Sequence, residues 1–245
     1  MTKSTLFVFS TVFLLLSAAN LQAFDANQKA KLLDLKSCQK CDLSNSDLKK
    51  ADLSRAEIDY INLKGANLEG TDLSFAHMDE VYLNGAKAAG ANFKAAYIDH
   101  SEFMGAVFDG AIFRGADLGK GDLTGVSAIG ADFNGAKLKY TRWTGAKLSR
   151  ANFQSTRLDR ADFENANLVA ANFQGANLWS ADFTGANLAG ANLTNCDLSN
   201  ATFEKATLKG AIVKGADFLS VGGGGVRCLF LKEAGAIIDE STKCW

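Results

Sequence analysis

The chain has 245 residues, of which 47% are hydrophobic and 22% charged, with 23 Gly and no Pro. That composition excludes a disordered chain and supplies enough apolar surface for a sizeable core. With 26 basic and 27 acidic side chains the net charge is -1, which excludes a globally basic nucleic-acid binder and a polybasic membrane anchor.

Lys3 precedes an apolar run, Leu6–Phe9 and Val12–Leu16, followed by small and polar residues ending in Leu21-Gln22-Ala23. A basic start, an apolar middle and a small exit residue predict a secretory signal peptide over 1–23, with Ala19 as the alternative cleavage point. The apolar run is shorter than the roughly 20 residues a spanning helix needs. Residues 24–40 form an amino-terminal cap in which Leu32, Leu33 and Leu35 suggest a short helix, with Asp25 or Asn27 as its cap.

From Leu43 to Phe218 a large apolar residue recurs at every fifth position, without insertion or deletion, through 36 units. The centres are 18 Leu, 11 Phe, two Ile and one each of Met, Val and Trp, with Ala88 and Ala128 alone undersized. Two residues earlier Ala occurs 25 times, and two residues later Gly occurs 16 times and Asn four. Neither the 3.6-residue period of a helix nor the two-residue period of a strand accounts for a spacing of five. Each segment must turn before the next inward side chain arrives. Gly and Asn accept positive φ, so type II turns suit many of these corners, whereas Lys50, Arg55, Tyr60 and Arg160 suggest another turn there.

Ala51-Asp52-Leu53-Ser54-Arg55, Ala66-Asn67-Leu68-Glu69-Gly70 and Ala186-Asn187-Leu188-Ala189-Gly190 carry the motif plainly. Across 41–220 the chain resembles the pentapeptide-repeat family, with its A(D/N)LXX consensus. The resemblance implies an all-β fold, a right-handed four-sided parallel β-helix of about nine coils and 20 residues per coil. Residues 20 apart should then stack, and two columns support that register. Phe93, Phe113, Phe133, Phe153 and Phe173 form an unbroken aromatic column, while Ala88 and Ala128 flank Phe108 in another.

All five Cys follow the presumptive signal. The expected pairing is Cys38–Cys41 and Cys228–Cys244, the second fastening a carboxyl-terminal cap over 221–245, with Cys196 a buried thiol. Cys38-Gln39-Lys40-Cys41 as a redox pair is the weaker reading, because no thioredoxin-like helix follows it. An enzyme would need a concave site from the terminal region, with Cys228, Glu233, Asp239, Glu240 and Cys244 as its material.

Asp or Asn precedes the centre in 20 of 36 units, which predicts hydrogen-bonded ladders along the wall rather than acid–base pairs. His77 and His100 read as surface residues. No catalytic, cofactor or metal site is expected. Residues 121–160 carry seven bases and three acids between more acidic flanks, and Lys137, Lys147, Arg150, Arg157 and Arg160 are the candidates for contact with an acidic ligand. Some pentapeptide-repeat proteins resemble duplex DNA and protect DNA gyrase; the basic middle and the signal argue against that role here. The leading expectation is a noncatalytic periplasmic or secreted scaffold whose partner is an envelope protein or an acidic macromolecule. A purely structural envelope protein is the alternative. Neither nucleic acid nor a membrane is expected as a direct partner, and self-association through a terminal edge stays open.

Overall fold

The computed structural model describes residues 26–219, 228–233, 235–239 and 241–243. The presumptive signal and Asp25 lie outside these residues. Helix α1 covers 26–35, so Asn27 sits inside it rather than capping it. One stripe of α1 seals the start of the shaft. Leu32 is fully buried, while Leu33 and Leu35 face outward. Gln28 Oε1 accepts the Asp42 N–H at 2.8 Å, and the Lys36 ammonium lies 2.9 Å from the Asp52 carboxylate.

The repeat builds a four-sided shaft held by parallel bridges between residues 20 apart, from Ser37↔Glu57 to Asp197↔Asp217. Four outward columns result. Face one runs from Asp42 to Thr202, face two from Asp47 to Thr207, face three from Asp52 to Ile212 and face four from Ser37 to Asp217. Each strand is a single bridge long, because the chain turns again after two residues. At most corners the carbonyl of the centre accepts the N–H three residues on, as in Ala51→Leu48 at 3.0 Å. The third turn residue has φ near +60°, the signature of a type II corner.

Sequence suggested another turn at the four corners where Lys50, Arg55, Tyr60 and Arg160 stand in place of Gly. The structure differs: Lys50, Arg55, Tyr60 and Arg160 all hold φ between 57° and 61°. The bridges above and below fix the backbone, so each side chain accepts left-handed strain of about 1 kcal/mol rather than altering the coil.

The interior is filled as the stacking register predicts. The rings of Phe93, Phe113, Phe133, Phe153 and Phe173 stack at centroid spacings of 4.6, 4.8, 4.9 and 4.9 Å, with interplanar angles of 8° or less. Phe108, between Ala88 and Ala128, meets Phe93, Phe103 and Phe113 edge-on. Trp143 is fully buried, and its indole N–H donates to Thr141 Oγ1 at 2.8 Å. That bond explains Thr in a slot that is usually Ala. Outside, an amide ladder runs Asn192→Asn172→Asn152→Asp132 at 3.2, 3.1 and 2.9 Å.

Beyond the last regular coil, helix α2 covers Cys228–Glu233. The tail then adds rungs of its own, Ile212↔Ile237 and Asp217↔Lys243, on faces three and four. Cys244 lies outside the described residues, so the proposed Cys228–Cys244 pair does too. At the opposite end Cys38 and Cys41 have Cα atoms 5.6 Å apart and sulfurs in bonding contact. Cys196 is a free thiol, 2% exposed, donating to the Phe173 carbonyl, and burial pushes its pKa up to about 12. Among the described residues no helix is long and apolar enough to cross a membrane.

Candidate functional site

The four sides are not chemically equivalent. The corner between faces four and one carries Tyr60, Glu80, His100, Lys120, Tyr140, Arg160, Ser180 and Asn200, all at positive φ and none of them Gly. All 16 repeat glycines at this position fall on the other three corners. Left-handed backbone favours Gly, so large and charged side chains are kept here against the local preference. The adjoining column of face four reads Glu57, His77, Tyr97, Asp117, Lys137 and Arg157.

The amino-terminal half of this strip is acidic and carries both histidines. His77 Nδ1 lies 2.7 Å from Asp59 Oδ1, and its ring stacks on Tyr97 at 4.9 Å. Burial and then the neighbouring carboxylates, Asp99 first, push the Tyr97 phenol up. Glu57 and Asp59, with His77 of the next rung, bring three potential metal-ligand atoms within 4.8 Å of one another, the two outer residues exposed and Asp59 half-buried. His100 links a second group. Its Nδ1 is 2.9 Å from Asp99 Oδ2, and Lys120 Nζ is 3.0 Å from its Nε2. The ammonium donates, so Nε2 accepts and the ring proton sits on Nδ1 facing the carboxylate.

The other half is basic. Lys137 pairs with Asp117 at 3.1 Å and Lys139 with Asp159 at 3.4 Å, while Arg160 lies over Tyr140 and Trp179 at 5.6 and 4.9 Å from the ring centroids. Of the five basic residues singled out in the sequence, the shaft therefore gathers Lys137, Arg157 and Arg160 on one side. Lys147 lies on face two, and Arg150 on the corner beyond it, diagonally opposite. Lys120 and Lys139 were missed. Their signal was available as the 20-residue column, since Lys120 precedes Tyr140 and Arg160 in one register. The Asp122, Arg142, Asp162 alternation gives one ion pair, Arg142–Asp122 at 3.0 Å; Asp162 accepts from Thr144 instead.

Of the terminal residues that could furnish a catalytic site, the side chains of Glu233 and Asp239 are among the described ones. Glu233 is exposed at the end of α2, and the Asp239 carboxylate accepts from the Ser241 hydroxyl and N–H, which holds it below the usual carboxylate range. Glu240, Cys244 and the Cys228 side chain lie outside the described residues.

Residues 136–213 match the description "Pentapeptide repeat region", and 37–74, 58–94 and 89–125 match "Pentapeptide repeats (8 copies)". The chain belongs to the pentapeptide-repeat family. No curated protein sequence matches it. Among solved pentapeptide-repeat structures, HetL, involved in heterocyst differentiation regulation in the cyanobacterium Nostoc sp. Strain PCC 7120, is 26% identical with a TM-score of 0.51. That match covers 84% of this chain and 92% of HetL. A trypsin-treated form of QnrB1, a plasmid-mediated fluoroquinolone resistance protein, is 18% identical with a TM-score of 0.54, covering 82% and 91%. The likeness to QnrB1 is one of fold. Pentapeptide-repeat proteins of this kind form right-handed quadrilateral β-helices.

Proposed function

We propose that this pentapeptide-repeat protein is a noncatalytic exported scaffold of about nine coils. It binds a macromolecular partner of the cell envelope along the strip where face four meets face one. The observation that carries this reading is the glycine-free corner from Tyr60 to Asn200. Glycine would carry less strain at these corners, and the coil draws no packing from tyrosine, histidine, lysine or arginine there, so these side chains serve the surface. The strip is polarised, acidic around Glu57–Asp99 and basic around Lys120–Arg160, and this sets the direction in which a partner of opposite pattern lies. The basic half suits an acidic macromolecule.

Export rests on the signal-like segment 1–23 and on the Cys38/Cys41 pair, which an oxidising compartment would keep as a disulfide. The test is crosslinking mass spectrometry on the native exported protein. The reading expects crosslinks concentrated at Lys120, Lys137 and Lys139. Crosslinks centred on Lys147 of the opposite face, or none to any envelope macromolecule, would refute it.

A further inference from the structure

Gly119 interrupts the strip in a way the backbone does not demand. The equivalent positions one and three rungs below are Asp99 and Asp59, and one rung above is Lys139. Gly119 is not among the positive-φ glycines, so a left-handed turn is not its reason. A Cβ there would stand 2.7 Å from Asp99 Oδ1 and 3.5 Å from Asp117 Oδ1. The missing side chain opens a surface cavity of about 220 Å³ bordered by Asp99, Asp117, Lys120, Lys137, Tyr140 and Arg157.

The chemistry of this wall is mixed. Asp117 is committed to Lys137, and Asp99 to His100. The Arg157 guanidinium has no ion-pair or hydrogen-bond partner among the described residues, and only its backbone is bonded, to Ala136 and Leu138, so its planar fork of donors is free for a ligand. Tyr140 is 52% exposed, and Arg160 approaches its ring from the next rung up. The exposed ring forms part of the cavity wall beside Lys120. A bare polyanion is disfavoured by two carboxylates at the rim, but those carboxylates accept hydrogen bonds from hydroxyl groups. A ligand that suits every group has hydroxyls for Asp99 and Asp117, one carboxylate for Arg157 and a flat face of C–H bonds for Tyr140.

We infer that the cavity over Gly119 binds one uronic-acid unit of an acidic polysaccharide. The inference rests on the reading of this strip as the binding surface and names the class of its acidic ligand. The volume admits one sugar ring, so a longer chain would continue along the strip, over Lys139 and Arg160.

The test is isothermal titration calorimetry of the purified protein with a galacturonic acid trisaccharide, the neutral galactose trisaccharide and inorganic phosphate. The expected result is saturable binding of the acidic sugar alone. Arg157→Ala and Tyr140→Gly should each weaken it about tenfold or more, and Lys147→Ala should leave it unchanged. Glycine is chosen at 140 because it keeps the left-handed corner, so loss of binding with an unchanged circular dichroism spectrum and a melting midpoint no lower than the parent's reports the missing ring. Gly119→Ala should weaken binding by crowding Asp99. Equal binding of the neutral sugar, phosphate binding as tight as the uronate, or no saturable heat up to about 10 mM would each overturn the inference. None of these outcomes removes a protein partner captured by crosslinking, so this failure and failure of the scaffold reading can be told apart.

Discussion

Truncating Phe153 to Ala tests the stacked interior at its most connected point. The ring is fully buried, stacks on Phe133 and Phe173 at 4.9 Å each, and meets Trp143 and Phe163 edge-on at 5.7 and 6.0 Å. About 150–200 Å² of buried ring at about 25 cal/mol per Å² represents roughly 4–5 kcal/mol, of which the retained methyl keeps about 1. The neighbours are held by bridges on both sides and collapse poorly, so a cavity term brings the loss to about 4–5 kcal/mol. Phe203 supplies the internal control. It is 6% exposed and has two ring partners, Phe183 at 5.1 Å and Phe218 at 5.9 Å. Phe203→Ala should cost about 1–2 kcal/mol less. Guanidinium unfolding of the purified chain, followed by circular dichroism with the slope compared between variants, measures both. A loss below about 2 kcal/mol at Phe153, or an equal loss at both sites, would refute the continuous stack.

At the corners, Gly90→Ala meets no atom within 4 Å, so its cost is conformational alone, about 1 kcal/mol; Gly185→Ala adds a clash with Asn165 Oδ1 and should cost more. Ala170→Gly, at φ 57°, should run the other way and raise the unfolding midpoint. Acid should loosen the shaft. Ser54 and Lys36 lower the Asp52 pKa, Ser44 lowers that of Asp42, and at Asp182 burial works upward but is outweighed by bonds from Thr184 and Thr202. Depressed folded values mean a stabilisation that is complete above the unfolded carboxylate pKa of about 4 and lost as pH falls through the folded values. Urea midpoints should therefore hold from about pH 7 to 5 and drop below about 4, less steeply in Asp182→Asn. Cys196, with its thiol raised to about 12, should resist iodoacetamide at neutral pH in the native protein and react once unfolded.

Most of the interior was legible because a spacing of five admits few architectures, and residues 20 apart then have to touch. The Phe column and the Asn ladder follow from that register alone. The strip was less legible for a particular reason. Lys137, Lys147, Arg150 and Arg157 are neighbours along the chain, and only the ten-residue offset places Lys147 on the opposite side. Gly119 sits one position before the corner, outside the count of corner glycines, and its effect is space rather than turn geometry. The bulky corners were misjudged because local preference was weighed without the two coils that clamp each turn. The tail escaped the pattern entirely, since its rungs pair across 25 and 26 residues instead of 20.

The fourfold coil also governs how such a molecule can change length. Gain or loss of a single five-residue unit still places an apolar centre at every inward position, yet it re-pairs the stacked columns and swings all that follows through a quarter turn. Deleting 121–125 would carry Lys139, Tyr140 and Arg160 away from Glu57 and His77 to a different side, dividing one strip into two short ones. Only whole coils of 20 residues can be added or removed without rewriting the outside, so the shaft lengthens cheaply in one increment and is reprogrammed by any smaller one.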